Sequence, residues 1–342
     1  MPAETSPLDS SLDSVPDTQI DARLFAMPLT VLVTGANGLV GRALCGELAA
    51  RGFKVLAAVR RPAAFEPMAG VAAIDAPDLS DANAQWQLTG VDVVVHTAAR
   101  VHVMNPAPDE AQRFLSVNRD GSVRLARQCA VHHVKRLIFL STIKVNGECT
   151  LPGAPFTAND LPKPADPYAV SKREAETGLQ AVAEQTGLEV TIIRPPLVYG
   201  PGAKGNLGVL ERAVRRGLPL PIGALNVNRR SLVSLANLVD LTVSCVTHRA
   251  AANHTFLVSD DQDVSTLGLA ELIAQACGVR LRTISVQSGL LKVMASLLGR
   301  REMMQRLTDS LQVDVSPTRH QLNWQPAQTM AQAMAEAFTQ DS

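Results

Sequence analysis

The stretch Leu29-Thr-Val-Leu-Val-Thr-Gly-Ala-Asn-Gly-Leu-Val-Gly41 determines how the rest of the chain is read. Its first five residues are an apolar, β-branched run of strand length, and from Leu39 a helix-like pattern continues to Arg51. A strand, a glycine-rich turn and a helix in that order make a phosphate cradle. Gly35 allows the tight turn, Gly38 lets backbone N–H groups approach a pyrophosphate, and Gly41 lets the helix pack close to the strand. The helix N-terminus adds its own attraction for negative charge. Asn37, Leu39 and Val40 complete the turn. The spacing departs by one residue from G-x-G-x-x-G, so the strand–turn–helix context carries the reading.

Outward from this stretch the pattern alternates. Strands are expected at Lys54–Val59, Val71–Ile74, Val91–His96, Leu137–Ser141 and Val190–Ile193, with helices notably at Glu110–Val131 and Tyr168–Glu184. Continuous apolar strands separated by helices predict an α/β fold, a Rossmann-like doubly wound parallel sheet, over residues 27–195. After Pro195 the regularity weakens. Helices are expected at Leu207–Arg216, Leu235–Thr247, Ser265–Cys277 and Thr329–Phe338, and short strands near Thr255–Val258 and Leu281–Ser285. Residues 196–342 therefore read mostly as a smaller C-terminal substrate-binding lobe over the open end of the sheet, with segments returning to the core. Residues 1–26 read as a disordered extension: they are rich in Ser, Pro and Asp, with five acids against one Arg, the opposite of a signal peptide.

Composition narrows the function classes. The 342 residues are 46% apolar and 19% charged, and 32 basic side chains balance 32 acidic ones. That balance argues against a nucleic-acid partner. No run approaches the roughly 20 apolar residues of a membrane span. Cys45, Cys129, Cys149, Cys245 and Cys277 show no paired pattern, which fits reduced thiols and a cytoplasmic location. His96, His102, His132 and His133 sit on different elements without ligand spacing, so no metal is expected. The apolar face of Leu290–Leu298, flanked by Arg300 and Arg301, reads as lobe packing rather than a membrane contact.

Two further places carry chemistry. In Tyr168-Ala-Val-Ser-Lys172 the phenol and the amine stand four apart and share one helix face. A nearby ammonium is expected to lower the phenol pKa from about 10 towards neutrality, so that it exchanges a proton with a hydroxyl or ketone. The fifth strand ends in Ser141-Thr142 at the edge where the ligand crevice should lie; Thr142 is placed to bond the reacting oxygen, and a structural role suits Ser141 at least as well. The second strand ends in Arg60-Arg61, where an acid usually binds a ribose 2′-hydroxyl. Two guanidinium groups there fit a 2′-phosphate, which favours NADP(H), with NAD(H) as the alternative.

Together with His96-Thr-Ala-Ala-Arg100, Asn118, Ser141-Thr-Ile-Lys-Val-Asn-Gly147 and Arg194-Pro-Pro-Leu-Val-Tyr-Gly200, these pieces resemble the epimerase/dehydratase branch of the extended short-chain dehydrogenase/reductases from about Leu29 to Pro326. By that resemblance Thr142, Tyr168 and Lys172 form the catalytic triad. It also implies that Ala98 and Ala99 line the pyrophosphate, Asp78 and Leu79 the adenine, and Pro195, Leu197 and Val198 the nicotinamide, with Arg100 and Asn118 among the cofactor-binding residues. Asn118 takes the family's structural and proton-relay position. Lys204 and Asn206 fall where members meet a nucleotide diphosphate, and Arg230 suits a phosphate contact and a cap on the lobe equally well.

Ile143-Lys144 stands where sugar-nucleotide 4,6-dehydratases carry Asp-Glu, which argues against dehydration. The resemblance is strongest to a subgroup similar to UDP-glucose 4-epimerases, some of whose members reduce UDP-4-keto-6-deoxy-N-acetylhexosamines. The expected activity is therefore reduction of the 4-keto group of a UDP-linked hexosamine. The alternatives are a 4-epimerase with tightly held NAD, a ketone reductase of sterol-like or flavonoid-like substrates, and a non-catalytic NADP-sensing regulator, against which the intact Tyr168 and Lys172 speak. The expected partner is a nucleotide sugar, UDP-linked by preference, and a homodimer is left open.

Overall fold

The computed structural model of the chain describes residues 28–101, 108–151, 153–203, 206–286, 305 and 307–339. The quoted stretch folds as read: β1 (Thr30–Thr34), a turn, then α1 (Leu39–Ala50). There follow β2 (Lys54–Val59), β3 (Val71–Asp75), β4 (Val93–His96), α2 (Glu110–Phe114), α3 (Gly121–Val131), β5 (Arg136–Leu140), α4 (Pro167–Thr186) and β6 (Glu189–Arg194). With β9 (Thr255–Leu257) these strands make a seven-stranded sheet in the order β3-β2-β1-β4-β5-β6-β9, every pair parallel.

Side-chain alternation explains why the strands are apolar without a break. Val31 and Val33 of β1, and Val93 and Val95 of β4, point to one face, where α1 and α6 (Leu235–Thr247) bring Leu44, Leu48, Leu238 and Leu241. Leu32 and Val94 point to the other, against Leu125 and Cys129 of α3 and Leu179 and Val182 of α4. Both faces are buried, so neither parity is free to be polar. Strand order reverses between β1 and β4, and a crevice opens beyond their carboxyl ends.

A small second sheet, which the sequence pattern did not predict, holds the lobe. β7 (Leu197–Tyr199) runs parallel to β8 (Arg230–Ser234), and β10 (Asp263–Val264) pairs with β8 antiparallel. The described lobe helices are α5 (Asn206–Arg215), α7 (Thr266–Ala276), α8 (Ser316–Leu322) and α9 (Met330–Thr339). Tyr199 Oη donates to Asp260 Oδ2 at 2.6 Å, and Asp260 Oδ1 accepts from the Ser234 backbone at 2.8 Å, tying this sheet to the start of α6.

Two expectations are corrected. Leu281–Ser285 is not a strand but a single bridge, Thr283 to Leu220. Leu220 is flanked by Pro219 and Pro221, which have no N–H, so the ladder stops at one residue. The helix expected over Glu110–Val131 is interrupted by a π-helical turn at Leu115–Asp120. The extension 1–26 and the helix Leu290–Leu298 lie outside the described residues. Among the described residues no helix is long and apolar enough to cross a membrane, and no cluster of three His, Cys, Asp or Glu could hold a metal.

Candidate active site

The crevice between β1 and β4 is built by close backbone approach. Gly35 has φ +68°, and a Cβ there would lie 2.8 Å from the Ala98 backbone; one on Gly41 would lie 2.8 Å from the Gly35 carbonyl carbon. Gly38 caps α1 and offers no side chain to the first helical N–H groups. A cradle that only hydrogens can line, above a helix start with no side-chain cap, fits a pyrophosphate. Asn37 is exposed at its rim, and Leu39 and Val40 are half-buried.

Beneath the cradle runs a directed hydrogen-bond chain. Ser122 Oγ donates to Asn118 O at 2.6 Å, so its single proton is spent and His96 Nε2 must donate to Ser122 at 2.9 Å. His96 Nδ1 then accepts from Thr34 Oγ1 at 2.6 Å, and Thr34 Oγ1 accepts from the Ala98 N–H at 3.2 Å. Burial, with Lys172 adding repulsion, pulls the His96 pKa down to about 3 and keeps the ring neutral.

The π turn aims Asn118 inward. Its Oδ1 accepts from Arg100 N at 2.8 Å, and its Nδ2 donates to Arg100 O and to Ser171 Oγ, both at 3.0 Å. One amide thus joins the segment after β4 to the helix carrying Tyr168 and Lys172. The Arg100 side chain pairs with the buried Glu110. Ala98 and Ala99 are half-buried beside the cradle.

Beside the carboxyl end of β5, α4 is capped by Asp166, whose Oδ1 accepts from Ala169 N at 2.7 Å, and Pro167 opens the first turn. Tyr168 lies edge-on to Phe114, centroids 6.0 Å apart. Lys172 is fully enclosed; its Nζ donates to Leu140 O at 2.7 Å and stands 4.2 Å from the Phe139 ring centre. Thr142 is buried at the end of β5, and the next residue, Ile143, bonds through its N–H to Pro195 O at 2.9 Å. Lys172, Thr142 and the Pro195–Val198 segment therefore lie by the carboxyl ends of β5 and β6, with Leu197 exposed and Val198 half-buried on β7.

The expected effect of Lys172 on Tyr168 is corrected. Burial, helped by Asp166, pushes the Tyr168 pKa up to about 12, and burial pulls Lys172 down to about 7 while Glu176 opposes it. Loss of water is the largest effect on both groups, and the Lys172 amine spends a hydrogen bond on Leu140 O.

The remaining residues divide. Asp78 follows β3 and accepts from Ser80 N and Oγ; this and the nearby Arg60 hold its carboxyl below the usual range. Leu79 is half-buried and its carbonyl accepts from Arg124 at 2.5 Å. Arg60 and Arg61 are exposed at the end of β2, and the register sets Asp75 of β3 beside Val59, an acid one strand further out that the sequence reading had not placed there. Arg230 Nη1 donates to Asp309 O at 3.0 Å and so packs within the lobe. Asn206 is the first residue of α5, and Lys204 lies outside the described residues. Sequence reasoning missed the buried pair Glu176–Arg194, whose signal was the Lys172-to-Glu176 spacing of four on one helix face.

Known proteins share both sequence and shape. The profile of the NAD dependent epimerase/dehydratase family matches residues 31–259. A UDP-glucose 4-epimerase of Vibrio cholerae is 43% identical over 328 residues, covering 92% of this chain and 97% of that protein. The crystal structure of a UDP-glucose 4-epimerase with UDP-glucose from Thermotoga maritima superposes with a TM-score of 0.70 at 19% identity, covering 91% of this chain and 98% of that one. A UDP-glucuronic acid 4-epimerase from Bacillus cereus in complex with NAD gives 0.71 at 18% identity over the same shares. At those identities the two structures speak for the fold.

Proposed function

The chain belongs to the NAD dependent epimerase/dehydratase family, and we propose that it interconverts the C4 epimers of a UDP-hexose. The observation that carries this reading over the expected 4-keto reductase is the near full-length, 43% identical relative, a UDP-glucose 4-epimerase. When bound, the nicotinamide supplies the hydride acceptor and donor. The chain does the rest. In its phenolate form Tyr168 takes the proton of the C4 hydroxyl as the C4 hydrogen leaves, then, as the phenol, returns it to the 4-ketone oxygen after the sugar has presented its other face. Thr142 holds that oxygen, and Lys172 supplies charge beneath. The test is to incubate the purified chain with UDP-glucose and NAD and no reductant. Appearance of UDP-galactose is expected. Consumption of NADPH with a UDP-4-keto-6-deoxy-N-acetylhexosamine, with no epimer formed, would replace the reading with the reductase.

That second reading keeps one observation in its favour: Arg60 and Arg61 stand exposed where an adenosine ribose would arrive. A charge-assisted contact to a 2′-phosphate is worth roughly 1.5–3 kcal/mol. Arg60→Ala and Arg61→Ala are therefore each to be titrated with both cofactors. If a guanidinium grips the phosphate, its loss weakens NADPH about ten- to a hundred-fold and leaves NADH nearly unchanged. Equal losses for both cofactors, or a wild type that prefers NADH, would remove the support for a reductase.

A further inference from the structure

Helix α4 grips the carboxyl end of β5 at two successive points. Lys172 Nζ donates to Leu140 O, and one turn on, Glu176 Oε1 accepts from Ser141 Oγ at 2.5 Å. Glu176 is 0% exposed and meets Arg194 of β6 through two bonds, Nη2 to Oε2 at 2.6 Å and Nε to Oε1 at 3.0 Å. Arg194 also donates to Asn146 Oδ1 at 3.0 Å, so the turn after Thr142 is held from below. A buried pair of this kind adds little net stability over apolar side chains of similar volume, because desolvation offsets the attraction. Its place beside the Tyr–Lys pair calls for another reason.

We infer that Glu176 is a positioning residue for the Thr142–Tyr168–Lys172 site: it holds Ser141 so that Leu140 O and Thr142 face α4, and its charge keeps the enclosed Lys172 protonated. This deepens the proposed function and rests on its reading of Lys172. The surroundings of Lys172 among the described residues support it. On α4, Tyr168 stands a turn before and Glu176 a turn after. β4 contributes the neutral His96, β5 the Phe139 ring, and β6 Arg194, which lies behind Glu176. Arg119 of the π turn pairs with Asp120 and Glu174, and Lys144 pairs with Asp166. Glu176 is the carboxylate acting to raise the Lys172 pKa against its burial.

The experiment follows the Lys172 ε-carbon by NMR in carbon-13-lysine protein with NAD bound, identified by its loss in Lys172→Met. Turnover is measured over the same pH range. Side chains four apart on a helix stand about 5–6 Å apart at Cβ, and an opposite charge within about 4–6 Å shifts a pKa by roughly one unit or more. Glu176→Gln is expected to lower the Lys172 titration, and the alkaline limb of turnover, by about that much. Arg194→Met keeps the carboxylate and should not lower it. Because Glu176→Gln leaves a buried arginine without its anion, the deciding variant is the double Glu176→Met, Arg194→Met, which is expected to keep its Tm and still show the downward shift. A folded double variant in which Lys172 titrates as in wild type would overturn the inference, even if turnover fell. The titration needs no substrate, so it stands apart from any failure of the UDP-hexose reading.

Discussion

Tyr168→Phe is expected to lower turnover by roughly 10²–10⁴-fold, the range for losing a positioned proton donor, while the dinucleotide binds within a few-fold of wild type. The ring is retained, and with it the edge contact to Phe114; only the hydroxyl is lost. Stability offers a second check. The folded pKa of Tyr168 is raised to about 12 against about 10 for a free phenol. A raised pKa contributes stability that is present in full below pH 10 and is lost between about pH 10 and 12. Wild type and variant should therefore melt alike from pH 6 to 9 and diverge only above 10, the wild type falling further. Thermal unfolding across that range and steady-state kinetics with a UDP-hexose measure both halves. Turnover within a few-fold of wild type would show that the phenol is not the proton-transfer group.

The second large effect is expected at Gly41→Ala. A Cβ at Gly41 collides with backbone, the Gly35 carbonyl, which already accepts from Gly38 N at 2.8 Å. Neither atom has a flexible end to move, so the turn itself must open. Overpacking of this kind costs about 1–3 kcal/mol, and the cradle should lose measurable dinucleotide binding with it. Gly46 is the control. It lies on the same helix, and a Cβ there meets only the flexible end of Met68, Sδ at an ordinary 3.6 Å and Cε at 3.9 Å. Gly46→Ala should hold or raise the Tm, since alanine is the better helix former. Calorimetry and cofactor titration on the two variants decide the matter; similar losses in both would mean that helix context, not the cradle, sets the cost.

These residues show what the sequence made legible. The cradle and the six strands of the core could be read because their signals are local and long enough to have a period: β1 is buried on both faces and flanked by a glycine turn. β7 and β10, three and two residues long, are too short to show alternation. The π turn hides because one extra residue per turn leaves the polar and apolar order of Leu115–Asp120 looking helical. Glu176 lay in plain sight four residues beyond Lys172, but Arg194 joins it only once β6 is placed beside α4. The Tyr168 proton affinity was misjudged for a related reason: spacing shows which groups are near, not how much water is removed from them.

The cover of the sheet has a consequence for how the chain is made. The face bearing Val31, Val33, Val93 and Val95 is closed by α6 and finally by Leu322 and Trp324. Asp240 of α6 takes the Trp324 indole at 2.6 Å and Arg51, just past α1, at 2.5 Å, so three distant segments lock together there. During synthesis the cover of that apolar face, begun by α1 and α6, is incomplete until the ribosome has passed Trp324. Parallel strands joined by long crossovers are slow to pair, since the chain loses entropy before distant contacts reward it. The nascent protein is thus most prone to aggregate when its nucleotide cradle is already translated but its last helices are not.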